Sequence, residues 1–272
     1  MPASLRRSIL MILSLFIPCF LIAQEGNVSP KVFQSGEELH YKVKWNFLRL
    51  GSIIVRAKRD SLSVDTSVYR LVMIVRSNPD LGVVNIHEYN ESVVSSHDAM
   101  SKRYYAKQCN GDDCREIRYS YDEKLHEAYS SERSLSDSTI LNAETKGNAP
   151  RFVEGPSLFF ACRFLAHTGK QFCVPTMVNG TINKTLLDFR FQIDKVNIDG
   201  LNRPIRARRY SGSADWKGGG SAGLSGDFTG WVSDDDAAIP IRAELKIFLG
   251  SIDIELEKWQ RLGWTPPYSE SN

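Results

Sequence analysis

The fold class follows from residues 231–256, WVSDDDAAIPIRAELKIFLGSIDIEL. In its last part Ile252, Ile254 and Leu256 alternate with acidic residues, which is typical of a β-strand with one buried face. The residues Leu-Gly-Ser at 249–251 predict a tight turn before that strand, and Pro240 is tolerated near the start of the strand that precedes the turn. The stretch therefore predicts three consecutive antiparallel strands.

Three adjacent carboxylates, Asp234, Asp235 and Asp236, separate the first two of these strands. A calcium loop needs spaced oxygen ligands and a glycine, and neither follows these residues. Aspartate is favoured in turns because its side chain accepts hydrogen bonds from the nearby backbone. We therefore expect a solvated turn, with an adventitious divalent ion or a catalytic pair as the alternatives. No metal ligand and no catalytic residue are predicted.

The same two-residue period recurs along the chain, so the sequence predicts a mainly β protein. Turn residues separate short apolar runs at intervals of about ten residues, which indicates an antiparallel sheet. One segment, about 156–167, has a helical period and begins with Pro156. The predicted strands are 40–45, 52–57, 68–75, 86–94, 100–107, 115–121, 125–129, 186–196, 204–210, 228–233, 241–248 and 251–259, with Phe189, Phe191 and Ile193 facing inward.

The N-terminal segment 1–23 has the pattern of a secretory signal peptide, with Arg6 and Arg7 before an apolar run. Cleavage before Cys19 followed by its acylation is the alternative, although Pro18 fits a lipoprotein signal poorly. The whole chain carries a formal charge of +2, and cleavage after Ala23 removes two arginines and no acid. A neutral, exported protein is a poor candidate for binding nucleic acid. No later run is long and apolar enough to span a membrane.

Four cysteines remain after such a cleavage, and an even number in an oxidising compartment favours disulfides. Three pairings are open, and the spacings favour Cys109–Cys114 and Cys162–Cys173. A zinc site lacks the second pair of ligands that it would need.

Several short motifs lack the context that their chemistry requires. Residues 219–223 match G-x-S-x-G, but no helix follows, so a flexible loop is the simpler interpretation. The five histidines form no metal-binding pair, although a catalytic triad assembled in space stays open. A basic run is interpreted as a solvated sheet face, or else as a site for an anionic lipid headgroup or glycan; it contains Arg203, Arg206, Arg208 and Arg209.

Aromatic residues are the candidates for a binding surface, because they either fill the core of a sheet or line a cavity. The full set is Tyr41, Trp45, Tyr104, Tyr105, Tyr119, Tyr121, Trp216 and Trp231. From these we take five as predicted ligand-binding residues, namely Tyr41, Trp45, Tyr119, Tyr121 and Trp231.

The two ends of the mature chain resemble the exported bacterial domain-of-unknown-function family DUF3108. The resemblance rests on the opening F-x-x-G-E-x-L-x-Y-x-V-K-W (33–45), the helix head E-G-P-S (154–157) and the closing W-V-S-D-D-D-A-A-I-P-I-R (231–242). It implies an exported protein of the Gram-negative envelope, in the periplasm or associated with the outer membrane, and no particular activity. A more distant similarity to periplasmic lipoprotein carriers implies a strongly curved antiparallel sheet, or incomplete barrel, around an apolar cavity.

These observations predict a β-rich envelope domain over residues 24–272, either undivided or made of two halves joined around 130–153. The expected function is that of a non-enzymatic binding or carrier protein for an apolar or lipid-like ligand, with no cofactor. The alternative is a structural or assembly protein of the envelope that acts through a protein partner.

Overall fold

The computed structural model describes residues 30–82, 85–214, 216, 226–247 and 250–269. These residues form fourteen strands and one α-helix, together with two short 3-10 turns. The signal-peptide prediction, Cys19 and the G-x-S-x-G motif lie outside the described residues.

All fourteen strands belong to one antiparallel sheet. The first eight follow one another as hairpins: β1 (Glu37–Trp45), β2 (Leu48–Arg59), β3 (Val68–Ser77), β4 (Ile86–Ser95), β5 (Ser101–Asn110), β6 (Asp113–Asp122), β7 (Glu127–Ser134) and β8 (Ile140–Lys146). After helix α1 (Gly155–Leu165) come β9 (Gln171–Val178), β10 (Thr181–Val196), β11 (Ile205–Ala214), β12 (Gly226–Ser233), β13 (Pro240–Ile247) and β14 (Gly250–Gln260).

Strand β1 pairs with β14, and this pairing joins the two runs of hairpins into one sheet. Strands β8 and β9 are therefore the two edges, although they are consecutive in the chain. The sheet is an incomplete barrel that is open between these edges, and α1 is inserted between them in the sequence. The prediction of a curved, mainly β fold with a central helix is confirmed.

The segment 147–154 crosses the opening between the two edges. Phe152 O accepts a hydrogen bond from Ser101 N (3.1 Å), and Val153 exchanges backbone hydrogen bonds with Pro175 and Met177 of β9 (2.9 and 2.8 Å). At the far end of β9, Gly180 N donates to the Tyr119 hydroxyl (3.2 Å). Segment 147–154 and the turn between β9 and β10 thus hold the β9 edge of the sheet against the inner face of β5 and β6.

Helix α1 lies inside the curve and contributes to the main core. Phe160, Ala161 and Leu165 are buried against residues of β1, β3 and the later strands. Arg163 is also fully buried, and its Nη1 donates to Glu37 Oε1 at 2.6 Å. A buried guanidinium is tolerated only with such partners.

Two strands were missed at the sequence level for identifiable reasons. Strand β8 is exposed along its whole length, so it has no alternation of apolar and polar residues. Strand β9 contains Pro175, and a proline argues against a strand in a sequence-based prediction. It is allowed here because β9 is an edge strand.

The predicted inward orientation of Ile193 is wrong. The pairing of β10 with β11 shifts between Asp188 and Gln192, and the irregularity changes which side chains face the core. Ile193 is half exposed, whereas Phe189 is buried as predicted.

One predicted disulfide is confirmed and the other is wrong. Cys109 and Cys114 lie directly opposite each other in the β5–β6 hairpin and are bonded, with Cα atoms 4.1 Å apart. Cys162 and Cys173 form no disulfide. Cys162 lies on α1 with its thiol next to the Tyr210 hydroxyl, whereas Cys173 lies opposite Leu186 in the β9–β10 ladder, so each side chain has different surroundings.

Candidate functional site

The concave side of the sheet forms a partly open cavity of about 360 Å³ beside helix α1. Ligand pockets in proteins typically have volumes of about 300–1,000 Å³. Its wall is drawn from both halves of the sheet and from the helix. The apolar and aromatic lining residues include Tyr41, Ile53, Met73, Tyr104, Ile117, Tyr119, Leu158, Phe159, Met177, Tyr210, Trp216, Phe228, Ala243, Leu245 and Ile254. The polar lining residues are Gln108, Glu154, Thr176, Asn179, Asp227 and Arg242.

Pairing between neighbouring strands places several of these aromatic rings. Tyr104 of β5 lies opposite Tyr119 of β6, and their rings stack with centroids 4.9 Å apart. Tyr210 of β11 lies opposite Gly230 of β12, and the ring covers the glycine so closely that a Cβ there would be 2.3 Å from it. The absence of a side chain at Gly230 therefore leaves the space that the Tyr210 ring occupies in the cavity wall.

The polar atoms of the aromatic wall are already bonded within the protein. The Tyr41 hydroxyl donates to Pro240 O (3.1 Å), and the Tyr104 hydroxyl donates to Asn90 Oδ1 (2.7 Å). Trp216 Nε1 donates to Thr185 Oγ1 at 3.0 Å. Because these hydrogen-bonding groups are engaged, the aromatic residues offer their carbon surfaces to the cavity.

Burial raises the pKa of the tyrosines in the wall. The pKa of Tyr119 rises to about 12, and those of Tyr104 and Tyr210 rise well above the usual value, in each case chiefly through desolvation. Burial likewise raises the pKa of the Cys162 thiol to about 12. These four groups of the wall are therefore uncharged at physiological pH.

The wall also contains a carboxyl group whose pKa is raised by burial. Glu154, at the N-terminal end of α1, is almost completely buried and lines the cavity. Burial raises its pKa to about 7, although the hydroxyls of Ser92, Ser157 and Ser101 offset part of the rise. Its Oε2 accepts a hydrogen bond from Ser92 Oγ at 2.9 Å.

Two of the five predicted ligand-binding residues, Tyr41 and Tyr119, line this cavity, and three do not. Trp231 follows Gly230, which faces the inner Tyr210 ring, so its side chain lies on the opposite face, where its Nε1 donates to Asp194 Oδ2 (2.8 Å).

Tyr121 and Trp45 lie elsewhere. The Tyr121 hydroxyl donates to Ala149 O (3.1 Å), and its ring packs against Phe152 in the smaller core cluster, to which the wall residues Tyr104 and Tyr119 also belong. Trp45 ends β1, opposite Ile252 of β14.

The sequence reasoning gave Glu154 no functional role and did not select Met73 or Met177. Methionine adapts to irregular spaces, so two methionines in the wall suit a cavity that accommodates flexible ligands. The E-G-P-S helix start was the one signal for Glu154, because it places the glutamate where a helix begins.

The Asp234–Asp236 run forms a turn, as predicted. Asp235 Oδ1 accepts hydrogen bonds from Ser233 Oγ (2.8 Å) and Ala237 N (3.0 Å). The prediction that the turn is solvated is wrong for Asp234, whose side chain is 2% exposed because it pairs with two arginines. Within the described ranges, no group of three or more potential metal ligands comes together.

Two arginines of the basic run share one carboxylate of the same turn. Arg206 pairs with Asp234, and Arg208 Nε lies 2.6 Å from Asp234 Oδ1. Arg203 stacks over the Tyr268 ring, 4.9 Å from its centroid. Ile205 and Ala207 are buried on the other face, as the alternation predicted.

None of the histidines is among the residues that line the cavity. His167 contacts the backbone oxygen of Asp235 (2.9 Å), and His40 pairs with Glu38 (2.5 Å). Across the described ranges, no helix has the length and hydrophobicity of a membrane span.

The fold is similar to that of a β-barrel-like protein of the domain-of-unknown-function family DUF1849 from Brucella abortus. The likeness covers 88% of this chain and 100% of that one, with a TM-score of 0.53 and 8% sequence identity. At this identity it shows the fold alone. No family model and no curated protein matches the chain, so the resemblance to DUF3108 stays a prediction.

Proposed function

We propose that this protein is an exported carrier that binds an apolar or lipid-like ligand in the cavity beside α1. The observation that carries the proposal is a space of about 360 Å³ whose wall is mostly apolar and whose aromatic polar groups are bonded internally. Pockets that bind small molecules typically have this character, with a mostly apolar wall and a few polar groups.

Burial of apolar surface alone can supply enough free energy for such binding, without any polar contact. A dry apolar cavity of about 150 Å³ can already bind benzene, and this cavity is more than twice as large. Burial of an acyl chain contributes about 0.8 kcal/mol per methylene group. A dozen methylenes would then contribute roughly 10 kcal/mol before the association cost is subtracted.

The surroundings of the cavity favour binding over catalysis. A hydrolase would need a nucleophile and a base within hydrogen-bonding distance in the pocket. None of the five histidines, all within the described ranges, lines the cavity, and burial raises the pKa of Tyr119 in its wall to about 12.

Export is supported by the Cys109–Cys114 disulfide, because such bonds persist in oxidising compartments. It is also supported by the signal-peptide pattern of residues 1–23. Fractionation of cells that express the chain, with mass measurement of the recovered protein, would test both cleavage near Ala23 and lipidation of Cys19.

A cavity-filling variant tests the carrier function. Ala243 lines the cavity from β13, opposite Gly230, so Ala243→Phe should occupy part of the space. We expect Ala243→Phe to bind the apolar fluorescent probe N-phenyl-1-naphthylamine with an apparent affinity at least tenfold lower than that of the unmodified protein. Ala143→Phe on the exposed strand β8 is the matched control and should bind the probe as the unmodified protein does.

A thermal melt of both variants would show that the fold is retained. Equal probe binding by Ala243→Phe, Ala143→Phe and the unmodified chain would contradict the proposal. Equal binding would mean that the probe binds at the surface of the protein and not in the cavity.

The alternative, an envelope assembly protein, is favoured by strand β8. All seven of its residues are exposed, including Ile140 and Leu141 at 69% and 50%. Its outer edge pairs with no strand among the described residues, and such an edge is a template for adding a strand from a partner. Crosslinking in the native envelope should then yield a partner adduct that Leu141→Lys removes while probe binding stays intact.

A further inference from the structure

The turn between β1 and β2 exposes an aromatic side chain that the core does not use. Asn46 and Phe47 connect the two strands, and Asn46 has a positive φ of 54°, as tight hairpin turns require. Asparagine is a favoured turn residue, whereas phenylalanine is not. Phe47 is 97% exposed, so its ring has no role in packing the core.

Hydrogen bonds on both sides of the hairpin fix the position of this turn. Arg49 donates to both carboxylate oxygens of Glu257 in β14 (2.8 and 2.9 Å). Arg49 O accepts from Asn78 Nδ2 (3.1 Å), and Leu50 O accepts from Asn78 N (2.7 Å). The start of β2 is thus bonded to β14 and to the residue that follows β3, and Phe47 projects from a braced end of the sheet.

The cavity opens at the same end of the sheet. Because neighbouring strands are antiparallel, β1 ends where β11 and β13 end and where β12 and β14 begin. Two cavity-lining residues, Ala214 and Gly226, are the last residue of β11 and the first of β12. The opposite end holds the C-terminal half of α1, where Arg163 bonds to Glu37 at the start of β1. The mouth of the cavity therefore lies at the end that carries Phe47.

A row of apolar side chains connects the cavity wall to this turn. Phe228 and Leu245, which both line the cavity, lie opposite each other in β12 and β13. The row continues across β14, β1 and β2 through Ile252, Trp45 and Leu48, each directly opposite the previous residue. Directly opposed side chains share one face of a sheet, so the row follows the concave face. It ends at Trp45 and Leu48, the two residues that flank the exposed turn.

The cations beside the turn are paired with carboxylates of the same chain. Lys44 Nζ lies 3.1 Å from Asp199 Oδ2 and 3.2 Å from Glu255 Oε2. Arg49 is paired with Glu257, as described above. The turn therefore offers an apolar contact without a free positive charge beside it, which favours an uncharged surface over an anionic one.

The size of the exposed contact favours a lipid surface over a protein partner. A stable protein interface buries about 800 Å² on each partner, whereas one aromatic side chain buries about 150–250 Å². Insertion at the boundary between lipid headgroups and acyl chains needs only a small apolar projection, and aromatic residues are enriched at that depth. The apolar ligand proposed above dissolves poorly in water, so a membrane is its natural source or destination.

We propose that the turn at residues 46–47 docks on a neutral lipid surface, with Phe47 inserted and the mouth of the cavity facing the membrane. This inference rests on the proposed carrier function and states where the carrier exchanges its ligand. The ligand passes between the membrane and the cavity along the apolar row from Leu48 to Phe228.

Sedimentation of the mature chain with sucrose-loaded phosphatidylcholine vesicles measures the docking. We expect Phe47→Ser to lower the partition coefficient about tenfold, because burial of one phenylalanine side chain contributes at least about that factor. Phe47→Trp retains an aromatic ring and should partition as the unmodified chain does. Leu62→Ser is the matched control and should change nothing, because Leu62 is 82% exposed but follows the opposite end of β2.

Binding of N-phenyl-1-naphthylamine without vesicles reports the carrier function separately. All four forms should bind the probe equally, since neither Phe47 nor Leu62 lines the cavity. If the vesicle binding depends on Phe47 but no form binds the probe, the carrier function fails and the docking stands.

Three results would overturn the docking while leaving the carrier function intact. The first is an unmodified chain that binds the probe but does not sediment with the vesicles. The second is equal sedimentation of Phe47→Ser and Leu62→Ser, and the third is a loss confined to Leu62→Ser, which would place the contact at the opposite end of the sheet.

Discussion

Arg163 is the largest fully buried side chain of the core, and its partners come from residues 32–37 and from the turn between β12 and β13. Its guanidinium donates to Glu37 Oε1 (2.6 Å), Val32 O (3.0 Å) and Ala237 O (3.0 Å). Arg261 donates to the other Glu37 oxygen. The carboxylate therefore holds together helix α1, the start of β1 and the chain that follows β14.

Removal of this carboxylate should be strongly destabilising. In Glu37→Ala, Arg163 and Arg261 lose their shared counter-ion while they stay buried, and we expect a loss of about 3–5 kcal/mol in the free energy of unfolding. Urea denaturation measures this directly. Glu257→Ala is the matched control, because Glu257 also pairs with an arginine, Arg49, but at the surface.

The control should cost less than about 1 kcal/mol, since exposed ion pairs contribute little. Equal losses for the two variants would show that Glu37 is not the counter-ion of a buried pair.

Glu154 predicts a specific dependence of stability on pH. Its pKa is raised by burial to about 7 in the folded protein, above the ordinary value of 4.5 that applies to the unfolded chain. Its contribution to stability is therefore fully present below about pH 4.5 and is lost as the pH rises through 7. A shift of this size corresponds to roughly 3 kcal/mol.

Glu154→Gln should remove this loss, so that its unfolding free energy changes little between pH 5 and pH 8, about the window of the shift. Carboxylates with lowered pKa, such as Asp188 at about 2, affect stability at lower pH and do not interfere. Parallel slopes for the variant and the unmodified chain over this window would contradict the assignment.

At the scale of the elements, alternation in the sequence identified most of the strands because one face of each is buried. It failed where that pattern is absent, as in the fully exposed β8 and in β9 with its proline. It also failed at Ile193, because an irregularity in the β10–β11 pairing changes which face a residue occupies. The Cys162–Cys173 pairing was favoured by spacing alone, and spacing carries no information about which way α1 and β9 face.

Gly230 links a single strand position to the shape of the cavity. A Cβ there would lie 2.3 Å from the Tyr210 ring, so Gly230→Ala should push the ring out of its place in the wall. We expect a loss of about 1–3 kcal/mol in stability and weaker binding of N-phenyl-1-naphthylamine. Gly147→Ala, at a position with open space around it, should change neither quantity.

Thermal melts and probe titrations of the two glycine variants provide the measurement. If Gly230→Ala behaves as Gly147→Ala does, the Tyr210 ring is not held against this glycine.

At the scale of the whole molecule, the curvature of the sheet was expected from a resemblance. The pairing that joins its two runs of hairpins could not be derived from the sequence. The decisive pairing joins β1 to β14 at opposite ends of the chain, with a register shift between His40 and Tyr41. Alternation shows which residues share a face, but only the completed sheet shows which face is concave. Of the residues predicted to bind a ligand, Tyr41 and Tyr119 line the cavity, whereas Trp231 lies on the opposite face of the sheet.

The proposed carrier function requires that an apolar ligand occupy the cavity of this protein in the cell. The most direct test is native mass spectrometry of the mature protein purified from an envelope fraction without detergent, followed by organic extraction of the same sample. We expect a reproducible additional mass that is removed by extraction and recovered as a lipid-like compound. A bare protein mass, unchanged after incubation with envelope lipids, would contradict it.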